Sequence, residues 1–118
     1  MKEKFDAQGF LNKYSELIPF YKEEREILSS CHRQMTPYLF FQYVVTKGLK
    51  VAINENNNEL IKGLFNDMEM LCQKDYDYYS DIIITTVFES FSKTELERHF
   101  ECYFGKKIKM AFEIYLKN

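Results

Sequence analysis

The chain holds 118 residues, of which 46% are hydrophobic and 29% charged, a globular rather than disordered balance. Its formal charge of −2 excludes a nucleic-acid binder of the usual kind, which needs a cationic surplus to neutralise phosphates. No apolar run approaches the roughly 20 residues that span a bilayer, so no membrane contact is expected, and the length fits one domain over 1–118.

Eleven phenylalanines, nine tyrosines, four glycines and two prolines argue for helices, since sheets need more glycine-bearing turns. The opening "MKEKFDAQGF" has charge but no apolar stretch of the secretory kind. Three cysteines with no CxxC suit a reducing compartment, and a cytoplasmic protein is expected. "FLNKYSELI" reads as a short amphipathic helix stopped by Pro19, and "YKEEREIL" as another. Thr36 then offers an N-cap with Pro37 at the first helical position. The helix that follows is apolar nearly all round. Only Gln42, Thr46 and Lys50 share a polar stripe, which predicts a central, buried element. A strand through "YLFFQYVV" competes on propensity, but the apolar character persists past Gly48 at helical spacing.

The polar cluster "NENNN" at 54–58 is a loop, and Asn57 or Asn58 caps a helix over 58–73. Leu60, Ile61, Leu64, Phe65, Met68 and Leu71 form its core stripe. Glu59, Lys62, Asn66, Glu69 and Gln73 form the outer face, so Glu69 is expected in solvent and Asp67 at the flank. Asp75 or Asp77 opens a helix through Phe91. The run "IIITTVF" is strand-like in propensity, but Tyr79, Ile83 and Val87 recur at helical spacing. Tyr78, Asp81, Thr85 and Glu89 make its polar stripe, while Phe65, Ile83, Val87 and Phe88 are expected in the core. Ser92 and Glu95 form a capping box for a helix of about ten residues ending near Gly105. A last helix, "KKIKMAFEIYL", turns Ile108, Ala111, Phe112 and Tyr115 inward. The expected fold is all-α, with six or seven short helices in a compact antiparallel stack.

One stretch gathers the candidate chemistry. "NDMEMLCQKDYDYYSD", residues 66–81, holds five acids, one lysine and three tyrosines. As a calcium loop starting at Asp75 it lacks an oxygen ligand at Tyr79, glycine at Ser80 and glutamate at Thr86. Zinc would need Cys31 and His32 together with His99 and Cys102, but adjacent Cys-His is poor ligand geometry. Cys31 beside His32 cannot act as a nucleophile–base pair, because neighbouring helical side chains diverge by about 100°. No phosphate loop, GxSxG or HExxH is present. No cofactor, metal or catalytic residue is therefore assigned, and an enzyme is not expected.

Charge is unevenly spread. Residues 52–81 carry seven acids against Lys62 and Lys74, whereas residues 98–118 carry five bases against two acids. Acids interleaved with tyrosines have the composition of a protein-binding surface. Tyrosine gives contact area with a polar tip, and carboxylates meet Arg and Lys. The candidate partner-binding residues are Asp67, Glu69, Asp75, Tyr76, Asp77, Tyr78, Asp81 and Glu89. The competing view is an ordinary solvated helix face.

The succession "FLNKYSELIPFYKEE", "MTPYLFFQYVV", "NNELIKGLFNDMEML", "IIITTVFESF" and "YFGKKIKMAFEIY", with Glu69 and Glu89 as polar marks, resembles a family of small all-helical bacterial proteins with a HEAT-like helix stack. Some of its members resemble immunity proteins of contact-dependent growth inhibition and other polymorphic toxin systems. The resemblance implies a protein that binds a cognate toxin carboxy-terminal domain, often a cationic nuclease, and covers its active site. A monomer is the favoured state. A helical adaptor docking through its acidic, tyrosine-rich face is the alternative.

Overall fold

The structure, a computed structural model, describes residues 5–31 and 36–117, and the side chains of all of these but 27–31. The described residues form helices and no strand: α1 (Ala7–Tyr14), α2 (Pro19–Cys31), α3 (Pro37–Phe40), α4 (Thr46–Asn54), α5 (Asn58–Lys74), α6 (Tyr76–Thr86), α7 (Lys93–Glu95) and α8 (Lys106–Lys117). A π turn, Phe41–Val45, joins α3 to α4 in one continuous rod. Another, Leu96–Phe100, extends α7 into a 3-10 turn, Glu101–Tyr103, and a further 3-10 turn, Phe88–Ser90, follows α6.

Helix starts follow local capping chemistry. Each start leaves backbone N–H groups without an intrahelical acceptor, and short polar side chains supply one. Asp6 accepts from Gly9 N at 2.9 Å, Thr36 from Leu39 N at 3.2 Å, and Asn57 from Leu60 N at 3.2 Å. Asp75 opens α6 in the same way, and Ser92 with Glu95 closes the expected reciprocal box. The loop before α5 turns through Asn56, whose φ of 54° is left-handed, a conformation that asparagine tolerates better than most residues.

The α3–α4 rod departs from the expected pattern. Thr46, placed on the outward stripe by the straight wheel, is buried and donates to the carbonyl of Phe41 at 2.9 Å. Tyr43, counted with the apolar interior, is 62% exposed. A π turn holds an extra residue, so an α-helical wheel loses phase across it. Lys50 keeps its expected outward place, and Leu39, Tyr43 and Lys47 face outward with it. The helix begun by the capping box also changes pitch. Only Lys93–Glu95 is α-helical, and the wide turn after it carries Leu96 and Phe100, both fully buried.

The core is aromatic in two lobes. Phe5, Phe10, Tyr14, Phe40 and Phe41 meet at ring distances of 5.1–6.4 Å near α1 and α3. Phe65, Phe88, Phe100, Phe104 and Phe112 meet at 5.2–5.8 Å beneath α5, α6 and α8. The four residues assigned to the interior by periodicity, Phe65, Ile83, Val87 and Phe88, are fully buried. Helix α5 packs against α4, α6 and α8. The Cα atoms span 42 × 39 × 19 Å, a slab about two helices thick at the usual 8–10 Å packing distance.

Candidate functional site

The eight candidate residues divide by what their side chains already hold. Asp67, on α5, is engaged. Both its carboxylate oxygens accept from Lys13 Nζ, at 2.9 and 3.0 Å, and it accepts a further hydrogen bond from the Tyr14 hydroxyl. It thus ties α1 to α5. Burial, followed by the hydrogen bond to the Asp67 carboxylate, pushes the Tyr14 phenol far above its ordinary range.

Glu69 is not on the solvent face that the wheel assigned to it. It is 7% exposed, and it receives the start of α8. Lys107 N donates to Oε2 at 3.1 Å and Ile108 N to Oε1 at 3.0 Å, while Gln73 Nε2 donates to Oε2 at 3.1 Å. A helix N-terminus has unsatisfied N–H donors and a positive dipole end, so a carboxylate satisfies both at once. The approach is close enough to require glycine. A Cβ on Gly105 would lie 2.5 Å from Glu69 Cγ and Cδ. Burial, with the Glu69 charge as a second cause, pushes the neighbouring Cys72 thiol up to about 12.

Asp75 also has structural work as the N-cap of α6, accepting from Tyr78 N at 3.4 Å. Tyr76 is half-buried, with Lys107 Nζ 5.8 Å from its ring centre. Its hydroxyl is buried without a hydrogen-bond partner within bonding distance among the described residues. Burial raises its phenol above the ordinary value, and Ser80, one turn on, pulls it the other way.

Asp77, Tyr78, Asp81 and Glu89 form the remaining group, and all four are exposed. They lie along the outward ridge of α6 and the turn after it. Tyr78 stands edge-on to Tyr79 at 5.0 Å, and Tyr79 is buried, as its place on the core stripe implied. Among the described residues no ion pair involves Asp77, Asp81 or Glu89. No lysine or arginine occurs from 76 to 92.

The segment weighed as a calcium loop is α6 itself, with Asp75 as its cap and Tyr79 in the core. Of the residues weighed for zinc, His32 and the Cys31 side chain lie outside the described residues. Cys102 is exposed and His99 half-buried on the turns after α7. No helix among the described residues is long and apolar enough to cross a membrane. No protein-family model matches the chain, and neither a curated protein nor a solved structure shows detectable similarity to it.

Proposed function

We propose that this chain is a protein-binding domain that captures a basic partner on the ridge formed by Asp77, Tyr78, Asp81 and Glu89. The partner in this reading is a cognate bacterial toxin domain, a cationic nuclease of a contact-dependent growth inhibition or other polymorphic toxin system. The protein acts as its cytoplasmic immunity factor and performs no catalysis. The observation that carries the reading is a row of exposed carboxylates with no ion pair within the described chain. Asp77 and Asp81 stand one turn apart, where like charges repel by a few tenths of a kcal/mol, about 0.2–0.5. A cationic partner relieves that repulsion. Tyr78 supplies flat contact area between the charges.

In this mechanism the carboxylates stand where nucleic-acid phosphates would meet the nuclease, and the bound domain covers its active site. Complementary charge speeds the encounter, so capture is fastest at low salt. The test is an Asp77→Ala, Asp81→Ala, Glu89→Ala variant, first shown by circular dichroism to be folded. Its binding to a toxin domain encoded in the adjacent reading frame is measured at two salt concentrations. Slower association, most marked at low salt, is the expected result. Unchanged binding at both removes this ridge from the interface. A neighbouring frame that encodes no toxin domain leaves a helical adaptor as the reading of the same face.

A further inference from the structure

Helix α8 lies beside the acidic ridge with opposite charge. Its outward face carries Lys106, Lys109 and Lys117, with exposed Met110, Ile114 and Leu116 among them and Glu113 as its one acid. The two helices run in the same sense. Near their starts Lys107 Nζ sits over the Tyr76 ring at 5.8 Å, and near their ends the Tyr115 ring lies 5.5 Å from Phe88. The Tyr115 hydroxyl also donates to the Phe88 carbonyl at 3.4 Å. Both helices pack on α5 and on each other, so the faces turned away from α5 adjoin. One half of this double face is acidic and tyrosine-bearing. The other is basic and apolar.

Such a face is complementary to itself under one particular symmetry. A twofold axis lying in the interface along the helix direction sets α8 of one copy over α6 of the other, and α6 over α8. Each acidic ridge then meets a basic one, twice, with the isologous repetition a closed dimer requires. A twofold across the helices would set acid on acid instead.

We infer that a second copy of this chain covers the α6–α8 face when no other partner is present, and that the resting protein is a reversible homodimer rather than the monomer expected from sequence. The inference rests on the reading of the α6 ridge as a docking surface. It adds a regulation of that surface: the second copy shields the carboxylates, and a basic partner displaces it. Met110 and Ile114 provide the apolar part of the contact, and Tyr78 of the opposing copy is the matching aromatic group.

Analytical ultracentrifugation of the full chain, with no partner added, tests this. The expected result is a monomer–dimer equilibrium that shifts toward monomer as salt rises, because exposed charge pairs are screened over about 8 Å at physiological ionic strength. Lys106→Glu with Lys109→Glu should weaken the dimer about tenfold or more, and so should Asp77→Lys with Asp81→Lys. The four changes together should restore it, since each reversed ridge again meets its opposite. Restoration is a result that misfolding cannot imitate. A monomer at every concentration and salt overturns the dimer and leaves the proposed function standing. A dimer that the charge reversals leave intact places any self-association elsewhere. Failure of the toxin domain to bind, with the dimer and its rescue intact, removes the proposed function alone.

Discussion

Helices α5 and α6 draw their acids from the same short stretch and use them in opposite ways. On α5, Asp67 and Glu69 reach across to other helices: one holds Lys13 and Tyr14, the other the first amides of α8. On α6, Asp77 and Asp81 hold no ion pair among the described residues. An acidic run is therefore not one surface. Part of it is internal framework, and only what remains exposed can be offered to a partner. Composition alone counted all of it as a binding face.

The largest expected effect lies on the framework side. Glu69→Ala leaves two amides at the start of α8 without their acceptor, and should cost about 2–6 kcal/mol, from about 1–3 kcal/mol per orphaned donor. Urea unfolding measures it, and a loss under about 0.5 kcal/mol, the range of ordinary surface changes, would erase the contrast between the two helices. Gly105→Ala comes next, at about 1–3 kcal/mol, because the added Cβ collides with the Glu69 side chain. In the Glu69→Ala background that cost should largely vanish. A double-mutant cycle with coupling near zero would show that Glu69 is not what Gly105 makes room for.

Asp67→Ala should be milder, about 1–2 kcal/mol. The Lys13 end of its ion pair is largely exposed and screened, so most of the loss falls on the Tyr14 hydroxyl. The Asp77→Ala, Asp81→Ala, Glu89→Ala variant should unfold within about 1.5 kcal/mol of the parent, since surface changes usually stay within about half a kcal/mol each. A larger loss would mean that the ridge belongs to the framework after all.

The smallest effect is a pH dependence. Glu95 accepts from the Ser92 backbone at 2.9 Å, and that bond, with its contact to the Ser92 side chain, holds the carboxyl below its ordinary 4.5. A depressed carboxyl favours the folded state above its unfolded pKa, and the benefit is lost as pH falls through the folded one. Thermal midpoints should therefore fall as pH drops below about 4.5. Glu95→Gln should flatten that slope, and an unchanged slope would show that the box contributes nothing to it, whereas Ser92→Ala, which keeps the backbone bond, should remove only the smaller part.

The sequence by itself determined what depends on near neighbours. The caps at Thr36 and Ser92 were legible, and those at Asn57 and Asp75 as one of two candidates each, beside Asn58 and Asp77, because each is closed by a backbone amide three residues on. Phe65, Ile83, Val87 and Phe88 were legible as core because apolar spacing at helical period records a buried face, and this outweighed the strand propensity of residues 82–87. The outward places of Tyr78, Asp81 and Glu89 follow from the same counting.

Tertiary structure decided the rest. Glu69 looked solvent-facing because a wheel describes one helix, whereas its acceptors meet amides 38 and 39 positions away. Lys13 and Tyr14 meet Asp67 from 54 and 53 positions away, across a different helix, and nothing local marks the pairing. The π turn at Phe41–Val45 moved Thr46 inward and Tyr43 outward, a one-residue change of phase that a straight wheel cannot contain. Local chemistry fixes where helices start and which stripe is apolar. Only packing decides which polar side chains a second helix then covers, because a buried carboxylate is stable only where donors from elsewhere in the chain arrive to meet it.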